Sequence, residues 1–567
     1  MTRNQRDLPT WCGWLAVTVA VGMMAAVGWG SSAPLFRADE IGNLGNAQLF
    51  ANPGTTWLLA GKAYMPGMGI LLTPVWLITD DPATAYRIAI AMCAVMGLLV
   101  ILPLRRIAKH FGAAPVTATI LAALVVVAPS RVLGSNYVWA ENLLVLLVST
   151  TVVLLLECGP STRFSGGVLL GAAAGATFLA HGRALPFAVG ALLVAVWLLR
   201  SQPRVAASAA VTGAATLAAS YVLFGYVADA LYIGDDRVAS TLDDIRRATP
   251  ETYFASLGGQ AWYQVAAWAG LTALGAIVLG GAAQRKGWRS APAGVFALLA
   301  GMSLLVPLVI ANPVVEDRGH VYFYGRYLDA FLVPLAVIGL AGIVRGVRWR
   351  SWITSLGVGT AGGLVFVLAS APKIGEGFMI TPAHVPGVAY LVRVVPTDTQ
   401  WPGSWALVVI LSLVPAVVLA VTSRWPRVSL TLFAVWAVGV SLYSDEAKFD
   451  RFDQLYRSPP FQVDVLAAVD PAITLFGDVT SAQVQNNGNE FTFWSHPRAF
   501  VYMDTRKDTS DVVLFIADLS APFVAQSGAS PFVGSIVGDS ATWVVPGTLH
   551  DQLDAQGRLL HKRSDAD

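Results

Sequence analysis

Asp39 and Glu40 stand side by side soon after the first long apolar run, with apolar flanks in Ala33-Pro34-Leu35-Phe36 and Ile41. A carboxylate held against an apolar wall has its pKa raised and can act as a general base towards a hydroxyl group. The plain alternative is a solvated acid pair in a loop. Against it, the same segment runs on through Lys62 and into Tyr64-Met65-Pro66-Gly67. That places a cation and a phenol ahead of a Pro/Gly-interrupted apolar stretch.

A second set of candidates lies further on. Arg131 and Glu141 bracket the short stretch 130–139, which also carries Tyr137 and Trp139. His181-Gly182-Arg183 joins two apolar runs with almost no loop between them. Tyr322, Tyr324, Gly325, Arg326 and Tyr327 form an aromatic and basic cluster, and Asp329 follows just inside the next apolar run. A guanidinium group forks onto phosphate, and aromatic faces stack on sugar rings. Each of these groups also has a bland reading. Tyr137 and Trp139 would anchor an interface, Arg183 would snorkel to a polar boundary, and Asp329 would neutralise Arg326.

The elements that position these residues are membrane spans. Of 567 residues, 55% are hydrophobic and only 13% charged, and mean hydropathy is +0.61. A soluble domain carries about 25% charged residues. The net charge of +2 gives no ground for a nucleic-acid partner. Cys12, Cys93 and Cys158 lie in or beside apolar runs, so no structural disulfide is expected. No Cys or His cluster has zinc-ligand spacing. Carboxylates are available for a divalent metal, but no ligand spacing stands out, so no metal or cofactor is assigned.

A membrane helix takes about 20 mostly apolar residues, which gives about thirteen transmembrane helices. They fall near residues 11–30, 84–104, 115–132, 141–157, 165–182, 184–199, 205–225, 261–283, 291–311, 327–344, 352–371, 403–422 and 428–443. The first is read as a retained span rather than a signal peptide. Residues 65–79, interrupted by Pro66, Gly67, Gly69 and Pro74, are read as a re-entrant or interfacial segment.

Alternate gaps are short and almost purely basic, as in Arg105-Arg106 with Lys109, Arg285-Lys286, and Arg345 with Arg348 and Arg350. By the positive-inside rule these gaps and the N-terminus are cytoplasmic, and residues 444–567 lie outside. The acidic and aromatic candidates then gather on the outer side. The tail has short β-rich runs at 473–476, 491–494, 500–503, 512–516 and 542–545, with turn-forming residues such as Asn486-Asn487-Gly488-Asn489 between them. This predicts a multi-pass domain over 1–443 and a small extracytoplasmic α/β domain over 444–567.

The order of these features resembles the GT-C superfamily of polyprenyl-phosphate-sugar-dependent membrane glycosyltransferases. The likeness is to actinobacterial mannosyl- and arabinosyltransferases. It rests on the acid pair Asp39-Glu40 after the first span, then Tyr64-Met65-Pro66-Gly67 and a helix opening Ala85-Tyr86-Arg87. A short second outer loop running into Glu141 and a span pair hinged at Arg183 complete it. The resemblance covers residues 10–230, which look like the superfamily's N-terminal helical module, and weakly the additional spans of 231–443 and the outer domain.

It implies an enzyme of the bacterial cell membrane that moves a sugar from a polyprenyl-phosphate donor to an extracytoplasmic glycan, lipid or protein. Asp39 or Glu40 would be the catalytic base. Arg131, Glu141, His181, Arg183, Arg326, Tyr327, Lys62 and Tyr64 are the candidates for holding donor phosphate and sugar. The rival classes are a lipid-linked sugar flippase, which would need ionisable residues or broken helices near mid-bilayer, and a non-catalytic cell-envelope assembly protein.

Overall fold

Proline in the first turn and glycine or small residues at close crossings set where these helices begin and how tightly they meet. The computed structural model describes residues 8–35, 37–54, 57–233, 245–311, 322–374, 383–391, 405–446, 457–504 and 511–560. Residues 234–244, 312–321 and 447–456 are among those that lie outside the described residues.

In chain order the helices begin with α1 (Thr10–Gly28), α2 (Arg37–Ala51), α3 (Gly67–Ile78), α4 (Pro82–Leu99), α5 (Ile101–His110) and α6 (Pro115–Val126). Next come α7 (Pro129–Gly134), α8 (Ala140–Leu156), α9 (Phe164–Ala180), α10 (Leu185–Leu198), α11 (Pro203–Leu231) and α12 (Pro250–Ala267). The remaining apolar helices are α13 (Leu271–Lys286), α14 (Ala291–Ile310), α15 (Arg326–Val344), α16 (Trp349–Val365), α17 (Trp405–Thr422) and α18 (Pro426–Ser444). Among the described residues eight helices are long and apolar enough to cross a membrane, or up to nine if the bent pair α12 and α13 is one span. Four of the expected spans coincide with shorter apolar helices, α6, α8, α9 and the stretch Gly182–Leu198, and residues 65–79 hold the 12-residue α3.

The chain divides into two compact units, neither contiguous in sequence. The first comprises Met1–Ser31, Ile90–Leu223 and Arg237–Gln454; the second comprises Ser32–Ala89, Phe224–Asp236 and Leu455–Asp567.

Within the first unit, α13 and α15 cross closely. A methyl group added to Gly275 would collide with the Leu335 carbonyl, and one on Gly339 with the Leu271 carbonyl. Small residues at such crossings let two backbones approach. Thr249 starts α12 with a capping box shared with Thr252. Ala269 (φ 48°) and Gly270 (φ 78°) break the path between α12 and α13, which meet at 98°. The break is satisfied inside the protein: Gly270 N donates to Val265 O at 2.7 Å, and Ser355 Oγ donates to Gly270 O at 2.9 Å.

The second unit contains α2, α3 and a five-stranded sheet, β1 (Leu475–Asp478), β2 (Phe500–Met503), β3 (Leu514–Asp518), β4 (Ser530–Pro531) and β5 (Ser540–Val544). The strand order is β2-β1-β3-β5-β4, with β2, β1 and β3 parallel and the other two pairings antiparallel. Leu475, Phe491, Phe500, Leu514, Ile516 and Val544 form its main core. Helix α19 (Ala482–Ser495) connects β1 to β2.

That helix corrects two expectations. The run 491–494 is not β-structure, and Asn486-Asn487-Gly488-Asn489 is not a turn. Ser481 caps the helix by accepting from Val484 N, and Val484, Gly488, Phe491 and Ser495 fall on one buried face.

Candidate active site

The acid pair does not lie in a loop: it occupies the first turn of α2. Negative side chains there meet the unsatisfied N–H groups and the positive end of the helix dipole. The two acids then diverge. Glu40 is fully buried, with Oε1 accepting from Leu35 N at 2.8 Å and Oε2 from the Tyr86 hydroxyl at 2.6 Å. Asp39 is partly exposed, and its Oδ1 accepts from the Tyr64 hydroxyl at 2.7 Å.

Tyr64 is itself held in place. Its ring lies where a side chain on residue 42 would be, so only glycine fits there. Its carbonyl accepts from Asn46 Nδ2 at 3.1 Å. The Tyr232 hydroxyl reaches Asn46 Oδ1 at 3.0 Å and Gly42 O at 3.2 Å. Lys62 is exposed at the start of this segment.

In the first unit, Glu141 opens α8 and gathers cations from two other places in the chain. Arg183 Nη2 donates to Glu141 Oε1 at 2.6 Å, and Arg326 Nε lies 3.9 Å from the same oxygen. His181 Nε2 is also 3.9 Å from it, while His181 Nδ1 accepts from Arg183 N at 3.2 Å. The guanidinium of Arg183 lies 3.8 Å from the Tyr327 ring centroid, and that of Arg326 lies 4.6 Å from the Trp139 centroid and 5.0 Å from that of Tyr324. Five predicted residues, Glu141, His181, Arg183, Arg326 and Tyr327, are thereby one cluster. With two arginines against one carboxylate it carries net positive charge before His181 is counted.

Trp139 and Tyr137 are not interfacial anchors. They are buried and stacked on each other at 4.0 Å. His384, which sequence reasoning missed, meets Tyr324 edge-on at 5.0 Å, and its carbonyl accepts from Gly325 N at 3.1 Å. Nothing in a lone histidine within an apolar stretch signals this; only the fold brings it there.

Asp329, buried in the first turn of α15, is held by donors from other segments. Its carboxylate accepts from Ser130, from Gln264 Nε2 at 2.8 Å, from Trp268 Nε1 at 3.0 Å and from the Tyr263 hydroxyl at 3.4 Å. Arg131 lies in its field and is only 4% exposed, with Nε and Nη2 lacking hydrogen-bond partners among the described residues. Among those residues no group of three or more His, Cys, Asp or Glu is placed to hold a metal ion.

No family model matches the sequence, and no curated protein matches it. Solved structures do. The crystal structure of ArnT from Cupriavidus metallidurans bound to undecaprenyl phosphate superposes with a TM-score of 0.57 at 17% identity, over 96% of this chain and 99% of that one. This chain has the GT-C fold. Apo ArnT from the same organism gives a GT-C match with a TM-score of 0.56 at 16% identity, over 94% and 97% of the two chains. The arabinosyltransferase EmbB from Mycobacterium smegmatis aligns with a TM-score of 0.42 at 16% identity, over 82% of this chain and 44% of that one. The GT-C fold accounts for the many apolar helices.

Proposed function

We propose that this chain is a membrane glycosyltransferase that takes a sugar from a polyprenyl-phosphate donor and passes it to a hydroxyl group of an extracytoplasmic glycan, lipid or protein. The reading rests on one observation, made in a chain with the GT-C fold. Three distant segments bring Arg183 and Arg326 onto the Glu141 carboxylate, with Tyr327 and Trp139 rings against the guanidinium groups. The undecaprenyl phosphate held by ArnT is the kind of ligand such a site would take.

Asp39 is the base and Glu40 a structural acceptor, because Glu40 is buried with both oxygens engaged while Asp39 reaches solvent. Asp39 takes the acceptor proton and the acceptor oxygen attacks the anomeric carbon. The bond from that carbon to the phosphate oxygen breaks, with inversion. Arg183 and Arg326 stabilise the charge that grows on the leaving lipid phosphate. Glu141 holds both arginines and leaves the cluster with a surplus of about one positive charge, suited to a phosphodiester. Arg131 is a further candidate for the phosphate, and Lys62, His181 and Tyr327 for sugar and phosphate contacts, while Tyr64, named with them from the sequence, serves instead to hold Asp39 through its hydroxyl. The N-terminus is cytoplasmic and residues 444–567 are extracytoplasmic, a topology supported by the alternating basic gaps.

A flippase would also use a broken helix, and α12 and α13 provide one. That break has its backbone groups bonded within the protein, which favours a fixed bend over a transport site.

The test is transfer of radiolabelled sugar from polyprenyl-phosphate hexoses and pentoses by the purified chain in liposomes, with Asp39→Asn alongside. Turnover that Asp39→Asn abolishes supports the reading. Movement of intact lipid-linked sugar across the bilayer without transfer would overturn it.

A further inference from the structure

The segment that delivers Tyr64 to Asp39 is gripped from two sides. On one edge, Leu59 N donates to Leu231 O at 2.7 Å and Ile233 N donates to Leu59 O at 3.0 Å, a short parallel bridge. Among the described residues no strand lies against the other edge. Instead the side-chain amide of Asn489, on α19, takes both main-chain groups of one residue. Ala60 N donates to Asn489 Oδ1 at 2.7 Å, and Asn489 Nδ2 donates to Ala60 O at 3.0 Å.

A carboxamide has one acceptor and one donor end, so it can pair with a backbone residue as a neighbouring strand would. Ala60 offers one of each, and this fixes which way the amide points. Thr492, on the same helix, adds a bond from Oγ1 to Leu58 O at 3.2 Å. The Tyr502 hydroxyl on β2 donates to Asn489 Oδ1 at 3.3 Å, in space that only a glycine at 488 leaves open.

From Ala60 the chain turns at Gly61, whose φ of 101° suits glycine. It then reaches Tyr64, whose hydroxyl binds Asp39 at 2.7 Å and whose carbonyl is bound by Asn46. Every link in this path lies within the second unit.

We propose that Asn489 is a positioning residue for the reaction, setting the place of Tyr64 and through it the orientation of Asp39. This rests on the proposed role of Asp39 as the base. The C-terminal part of the chain thereby completes the catalytic apparatus. The removal of Asn489 acts through the Tyr64–Asp39 bond, so its effect falls on kcat and spares donor KM. It also saturates once Tyr64 has lost its hydroxyl.

Two readouts on the full-length protein test this. In the first, 3-fluorotyrosine is placed at position 64 and its fluorine resonance is followed. Asn489→Ala shifts it in the same direction as Asp39→Asn, whereas Gln485→Ala, elsewhere on α19, leaves it in place. An unmoved resonance in Asn489→Ala overturns the proposal. The second is kinetic. Asn489→Ala lowers kcat by about as much as Tyr64→Phe, with donor KM unchanged, and the double variant is no slower than Tyr64→Phe alone. Multiplying losses, or a kcat equal to wild type, overturn it. The fluorine measurement needs no turnover. A wild type without transferase activity therefore sinks the proposed function, while the resonance still decides the link from Asn489 to Tyr64.

Discussion

The Tyr64 hydroxyl donates to Asp39 Oδ1 at 2.7 Å from a ring wedged against Gly42. The neighbouring acid, Glu40, has a tyrosine too, Tyr86, but it is sealed from solvent. Two acids adjacent in sequence are thus set in different environments, and their substitutions should separate cleanly. Asp39→Asn should lower turnover by about 10²–10⁴-fold with an unchanged melting temperature. Glu40→Gln should instead cost about 1–3 kcal/mol of stability, since the amide cannot accept from both donors as a carboxylate does. Thermal melting beside the transfer assay checks both; equal melting temperatures with equal losses of turnover would refute the assignment.

Gly42→Ala is the sharper probe of Tyr64. The new methyl group meets the tyrosine ring directly, so the ring must move and carry its hydroxyl away from Asp39. The expected outcome is a loss of turnover comparable to that of Tyr64→Phe in a protein that still inserts. Full activity would mean that the Tyr64–Asp39 bond does not matter.

At the other cluster the chemistry of the cation matters, not only its charge. Arg183→Lys and Arg326→Lys keep the charge but lose the planar faces that lie over Tyr327 and Trp139. Both should reduce kcat/KM for the donor by about tenfold or more, with Arg→Ala worse still. If the arginines only anchor helix ends, lysine would snorkel equally well and kinetics would be unchanged.

Arg498 tests the sheet-bearing part of the second unit. Its guanidinium donates to the carbonyls of Asp470, Ile473 and Val469 at 2.7–2.8 Å, with Leu466 O at 3.4 Å. Lysine has neither the donors nor the reach to replace that set. Arg498→Lys should therefore destabilise the unit by about 2 kcal/mol, read as a lower denaturation midpoint of the full chain.

His496 should give the same unit a pH dependence. Burial holds its imidazole below the ordinary 6.5, opposed in part by Asp80 at 3.7 Å. Its Nδ1 accepts from Trp57 Nε1 at 3.3 Å, which requires that nitrogen unprotonated. The unfolded chain therefore binds the proton first as pH falls. The stability is complete above 6.5 and is lost as pH drops through that value towards the lower folded pKa. Melting temperature measured from pH 8 to pH 5 should fall in wild type, and less steeply in His496→Gln. Parallel curves would refute this.

Much of the architecture was legible because lipid solvation writes itself into composition. The apolar runs became helices, and the acid pair, Glu141, Arg183 and Arg326 could each be picked out as polar groups beside apolar runs. Their partnerships could not be read. Glu141 and Arg183 are 42 positions apart, and neither carries a local mark of the other. The donors to Asp329 are hidden for the same reason: Arg326 is its neighbour in sequence, but Ser130, Gln264 and Trp268 reach it from distant segments. The run 491–494 looked like a strand because aromatic residues followed a string of asparagines. The cap at Ser481 and the helical spacing from Val484 to Ser495 were the signals that outweighed it.

Ala60 and Asn489 are separated by 429 positions. During synthesis Asp39 and Tyr64 are made before most of the apolar helices among the described residues, and the amide that grips their segment is made after them. A nascent chain would therefore hold its apolar helices before it holds the residue that locks the segment. A chain cut before Asn489 would leave the Tyr64 segment without that grip. On the proposed function, copies cut short of Asn489 would transfer little sugar, because the proposed base Asp39 would be loosely held.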